Sequence, residues 1–128
     1  MNRSIIITAA IFGMVAVIAG AFGAHGLKAL ITPSQLEVWH TAVEYNFYHV
    51  FALLFLSTIA KNGSGWIKAS FYLFVMGIIL FSGSLYLLAC RDLLHIGSVK
   101  VIGPITPLGG LLFIIGWLSL AIAAAKGK

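Results

Sequence analysis

Four apolar runs, Ile5 to Ala24, Thr41 to Ala60, Ile67 to Ala89 and Leu108 to Ala125, take up most of this chain. Each is close to the ~20 residues a helix needs to cross a hydrocarbon core, so the bilayer rather than a water-excluded globular core dictates the fold. Hydrophobic residues make up 61% of the 128 and charged residues 9%, with a mean hydropathy of +1.07. These values lie outside those of a soluble domain. The reading is all-α: an integral membrane bundle of four transmembrane helices over approximately residues 4–25, 33–60, 66–90 and 107–125. It forms one domain across 1–128, without a linker, repeat or low-complexity segment.

The formal charge of +5 comes from scattered Lys and Arg, and no basic cluster alternates with aromatics as nucleic-acid binding requires. The cations report topology instead. Arg3, Lys61, Lys68, Lys126 and Lys128 fall on one side of an even-numbered bundle, and Lys28, Arg91 and Lys100 on the other. Counting Lys and Arg alone, the positive-inside rule predicts both termini in the cytoplasm. The first run has signal-peptide features in Arg3, Ala21 and Gly23, yet it is long enough to span and is expected to stay as a helix. The single Cys90 makes no internal disulfide or paired-cysteine metal motif and is expected to be a packing residue.

Small residues recur along the runs. Ala9, Gly13, Ala16, Gly20 and Ala24 form one thin stripe beside Gly23, Ser82, Gly83 and Ser84 a second patch, and Gly109, Gly110, Gly116 and Ser119 a third. Such stripes let helix backbones approach closely where lipid removes the hydrophobic drive for association. Thr32, Pro33 and Gln35 announce a helix by a capping-box pattern. Running to Ala60 it would be ~42 Å long, longer than the ~30 Å core, so its first turns should stand in the interface with Trp39 at headgroup depth. Thr106 and Pro107 repeat the same Thr-Pro start, and Arg91 to Gly103 is an apolar connection expected to lie against the bundle or the interface.

All the acids and histidines gather in or beside two of the breaks between runs. The candidate polar cluster is His25, Glu37, His40, Glu44, Tyr45, His49, Arg91, Asp92 and His95. Glu37, His40, Thr41, Glu44 and Tyr48 fall within a sector of about 80° on one helix face. His49 lies a third of a turn away beside Tyr45, near the midplane, where an ionisable group suggests function by default. One explanation is structural: Glu44 or Glu37 pairs with Arg91, while His49 and Tyr45 hydrogen-bond across helices. A second is a proton or solute path using imidazoles and a carboxyl, although four short helices leave little room for a cavity. A third is a metal held by His40 and Glu44 with His25 or His95, but no HExxH motif supports it. No nucleophile elbow, phosphate loop or cysteine-histidine signature appears, so enzymatic activity is not expected, and no motif identifies a cofactor.

Gly20 to Leu27 (GAFGAHGL), the spacing Trp39, Ala42, Tyr45, His49, the run Phe81 to Tyr86 (FSGSLY), and Thr106 to Gly110 (TPLGG) followed by Gly116 and Trp117 stand in order along almost the whole chain. Together they resemble the small membrane family catalogued as domain of unknown function 423, which includes transmembrane protein 256 in eukaryotes. The family pattern has Gln after Tyr45 where this chain has Asn46, which keeps an amide. The resemblance implies a four-helix inner-membrane protein in bacteria with no established activity, substrate or cofactor, and directs attention to His25, Trp39, Tyr45 and His49. The leading expectation is a structural or accessory protein in the lipid bilayer, self-associating through its small-residue faces or joined to a membrane-protein partner. A proton-linked or metal-linked transporter is the rival. Lipid binding through Trp39, Lys28 and the Arg91 to Gly103 connection is a third possibility.

Overall fold

A computed structural model describes residues 2–60, 64–96 and 99–127. Lys61 to Gly63 of the second turn, Gly97 and Ser98 of the last connection, and Lys128 lie outside the described residues. Four helices account for nearly all the rest: α1 (Arg3–Ala24), α2 (Pro33–Ile59), α3 (Gly65–Ala89) and α4 (Ile105–Ala125). All are long and apolar enough to cross a membrane, and no strand occurs among the described residues. Ile7, Ile11, Met14 and Ile18 of α1 and Leu108, Leu111, Ile114 and Leu118 of α4 face outward. Apolar exposure on this scale suits lipid, not water.

The helix starts follow local chemistry. Asn2 Oδ1 accepts from the Ile5 amide at 3.2 Å to begin α1. The capping box at α2 is complete: Thr32 Oγ1 accepts from the Gln35 amide, and Gln35 Oε1 accepts from the Thr32 amide. The parallel expectation for Thr106 and Pro107 is corrected. Helix α4 starts at Ile105 with Pro104 as its cap residue, and Pro107 sits inside the first turn, where its missing N–H has no partner to lose. The Thr106 hydroxyl bonds Ser84 Oγ across to α3 instead, at 2.5 Å.

Packing forms two antiparallel hairpins, α1 with α2 and α4 with α3, joined where α2 meets α3. Within the second hairpin glycines and phenylalanines interlock reciprocally. Gly77 of α3 lies under the Phe113 ring of α4, Gly116 of α4 under the Phe74 ring of α3, and Gly109 against the backbone of Phe81. A Cβ at these glycines would sit 2.4 to 2.8 Å from those atoms, too close for the helices to remain where they are. Gly23 receives the Trp39 indole in the same way, while Gly20 and Gly13 touch Val43 and Val50 at ordinary contact distance. Apart from Gly83, the glycines of the small-residue stripes are therefore occupied within the chain. Self-association through those faces loses the geometry that motivated it.

Helix α3 contains one π-helical stretch, Ile78–Ser82. At that wide turn Ser82 Oγ donates to the Ala42 carbonyl of α2 at 2.8 Å, while the adjacent Phe81 backbone lies on Gly109 of α4. The turn grips both neighbours at one level.

These contacts separate two glycines that both lie near Phe81, one against its backbone and one two positions along its own helix. At Gly109 the added methyl would meet backbone that cannot swing aside, whereas at Gly83 nothing lies within 4 Å. Gly109→Ala is expected to destabilise by ~1–3 kcal/mol. Gly83→Ala is expected to be neutral or to gain up to ~1 kcal/mol from helix propensity. Thermal unfolding in detergent micelles checks both, and equal stability of Gly109→Ala and wild type would contradict the packing described.

Candidate functional site

The candidate polar cluster does not converge. Glu37, His40 and Glu44 share a helix face as expected, but that face is exposed, on the outside of α2. The buried face carries Gln35, Trp39, Ala42, Asn46 and His49. Arg91 turns back on its own helix, Nη1 donating to the Leu88 carbonyl at 3.0 Å. The expected Glu44 to Arg91 pair is not formed, because the helical phase that gathers the acids points them away from α3. Asp92 accepts from Gln35 Nε2 at 2.6 Å, a partner that sequence reasoning missed. His25 is exposed at the end of α1. His95 is exposed too, in the turn after α3, with φ at 54° in the left-handed region that closes helix ends. Among the described residues no three His, Cys, Asp or Glu side chains gather closely enough to hold a metal ion.

Along the buried face of α2, polar contacts to other elements recur at residues 35, 39, 42, 46 and 49, alternately four and three apart. Gln35 reaches Asp92. Trp39 Nε1 donates to the Ala19 carbonyl of α1 at 2.8 Å, the Ala42 carbonyl accepts from Ser82, and Asn46 Nδ2 donates to Tyr86 Oη at 3.0 Å. His49 completes the series against Trp117 of α4. On the other side of α3, Ser70 Oγ donates to the Gly116 carbonyl at 2.8 Å. Every neighbour of α2 is clasped to it. Among the described buried side-chain atoms, Asn46 Oδ1 alone lacks a partner.

One expectation changes with this arrangement and one is met. Trp39 is buried against Phe22 and Tyr86, not displayed as an interfacial anchor, so lipid binding loses that element. Cys90 packs beside Leu27, Trp39 and Ala89. Burial pushes its thiol up, away from the reactive thiolate.

His49 is 3% exposed, and its hydrogen bonds define its chemical state. An indole N–H only donates. Because Trp117 Nε1 donates to His49 Nε2 at 3.1 Å, Nε2 carries no proton, and Nδ1 must be the N–H that donates to the Tyr45 carbonyl at 2.8 Å. The ring is therefore neutral, with both nitrogens engaged. It lies flat on Phe113, centroids 3.6 Å apart and planes 7° from parallel, with Phe74 edge-on at 5.3 Å. Clefts of about 200, 340 and 600 Å³ open between the helices, and His49 lines none of these three. A ring held this way has no free lone pair for a metal and no spare proton to pass on.

The clasp has a measurable energy. His49→Phe keeps an aromatic ring on Phe113 but removes the acceptor for Trp117, and is expected to cost ~0.6–1.7 kcal/mol, the range of interhelical hydrogen bonds in membranes. In a double-mutant cycle with Trp117→Phe, measured by unfolding in mixed micelles, the two losses are expected to be strongly non-additive. Simple additivity would show that the bond carries no energy.

Comparison with known proteins agrees with this architecture. The family model described as a protein of unknown function, DUF423, matches residues 19–110. YwdK of Bacillus subtilis (strain 168), a UPF0382 membrane protein, is 43% identical over 123 residues, covering 94% of this chain and 95% of its own. A UPF0382 membrane protein of Staphylococcus aureus (strain bovine RF122 / ET3-1) is 46% identical over 121 residues, 94% of each chain. No solved structure matches the chain. A four-helix membrane architecture, a family match over most of the length and relatives alike almost end to end make this multi-pass membrane protein a member of the DUF423 family, the UPF0382 membrane proteins.

Proposed function

We propose that this chain is a structural or accessory component of the membrane and neither an enzyme nor a transporter. The observation that supports this reading is the commitment of α2's buried polar groups to neighbouring helices, His49 above all. A proton or solute path needs titratable groups that exchange partners with water or cargo as the cycle proceeds. In the only neutral tautomer compatible with Trp117, His49 gives one nitrogen to α4 and the other to its own helix. The acids and the other histidine of α2, Glu37, His40 and Glu44, face outward, away from any path through the bundle.

Reconstituted into proteoliposomes with an imposed pH gradient, the wild type, His49→Phe and Glu44→Gln are all expected to show proton flux at the level of protein-free vesicles. A flux present in the wild type and lost in either variant would overturn the reading in favour of a transporter.

A further inference from the structure

The outward face of α2 differs in kind from that of α1. Its successive residues are Thr41, Glu44, Tyr48, Phe51, Phe55 and Thr58. All but the half-buried Thr41 are exposed, Tyr48 by 53%, Phe51 by 60% and Phe55 by 54%. The outer face of α1 at comparable depth is Ile7, Ile11, Met14 and Ile18, a surface that lipid tails satisfy fully.

Depth makes the contrast sharp. Trp39 lies against Gly23 near the end of α1, and the Asn2 amide is tied to the Ser57 carbonyl at the other end. Those two levels are roughly the thickness of the hydrocarbon core apart. Glu44, five residues below Trp39, is therefore about 7 Å inside, close to the level where Ser82 meets Ala42. A carboxyl and a phenol turned outward at this depth are poorly served by lipid tails. A protein surface serves them better.

We infer that this face is where two copies of the chain pair, side by side and parallel, about a two-fold axis along the membrane normal. The inference rests on the structural reading above and names its partner. Copies inserted under the same charge asymmetry face the same way, so residues of equal depth meet. A two-fold contact must also complement itself. Along α2 the acceptors Glu37 and Glu44 alternate with the donors His40, Thr41 and Tyr48, so each carboxyl, facing its equivalent at the same depth, also lies within one turn of donors on the second copy that offset the approach of the two acids. The 3.5-residue spacing of the face is that of a left-handed helix pair. Towards the other end, Phe55 and Thr58 border the cleft of about 600 Å³ that runs to Trp117 of α4. The second copy's Phe51 and Phe55 rings are of the size and chemistry to fill it, as buried aromatic anchors commonly do.

Single-cysteine scanning in native membranes tests this in the full chain, with Cys90→Ser as background. Under a short bis-maleimide, Thr41→Cys, Tyr48→Cys and Phe55→Cys are expected to give a product of twice the 13.7 kDa chain mass, whereas Ile11→Cys and Ile114→Cys give none. Tyr48→Ala with Phe55→Ala is expected to weaken association in nanodiscs by about tenfold or more, with trypsin resistance confirming that the variant is folded. Equal cross-linking on the α1 face, or no doubled product at any α2 position, would overturn the pairing. Products at the α2 positions of some other mass would also overturn it, by showing that a different membrane protein covers the face. The readouts are independent, because failure of the structural reading appears as liposome flux and failure of the pairing appears in cross-linked mass.

Discussion

Inside a bilayer nothing apolar is gained by bringing two greasy helices together, so contact must come from close packing and from polar groups that lipid cannot satisfy. The inner face of α2 meets that requirement. Its residues at 35, 39, 42, 46 and 49 each offer or receive a hydrogen bond from another element. Removing that seam would leave the α1/α2 and α3/α4 hairpins with only van der Waals contact between them.

Close packing does the rest, and it is shared between partners in an informative way. In the second hairpin neither helix is the smooth one: α3 contributes Phe74, Gly77 and Phe81, and α4 answers with Gly116, Phe113 and Gly109. The Phe74 and Phe113 rings each occupy a hollow that only a missing side chain leaves, and Gly109 admits the Phe81 backbone in the same way. Sliding one helix along the other by a turn would set ring against ring, so the pattern fixes register as well as proximity. Phe113 links the two kinds of contact, because its ring covers Gly77 and also forms the flat platform on which His49 lies. The register of the hairpin therefore positions the imidazole for Trp117.

Much of this fold was legible in the sequence because each legible feature is local. Run length gave the four helices, and Thr32, Pro33 and Gln35 gave the start of α2 because a capping box lies within one turn. The glycines were readable as packing positions but not the rings that fill them, since that depends on which helices become neighbours. The Thr106 and Pro107 start failed for a tertiary reason, the hydroxyl being drawn to Ser84. The π-helical turn at Ile78–Ser82 left no signal in an unbroken apolar run. For the candidate site, periodicity placed Glu37, His40 and Glu44 on one face, yet periodicity fixes only relative angle and cannot say which way a face points. Attention to charge also hid the groups that hold the bundle together. Asn46, Tyr86 and Trp117 are neutral and stand among hydrophobic neighbours, so although each belongs to or adjoins a family motif, nothing local named its partner.

Helix α2 is the least apolar of the four spans and the one most enclosed by the others. These two properties are linked through its inner seam. Polar groups on that face make the segment a poor match for lipid on its own, and the partners that satisfy them come from α1, α3, α4 and the turn after α3. Those partners are distributed so that no single neighbour can stand in for the rest: Ala19 lies on α1, Ser82 and Tyr86 on α3, and Trp117 on α4. Settling α2 in the membrane and closing the bundle are then one process. Because buried groups that act in assembly are already bonded when it ends, chemistry directed at the outside must fall to residues on the opposite face, and on this helix those are the glutamates, His40 and Tyr48.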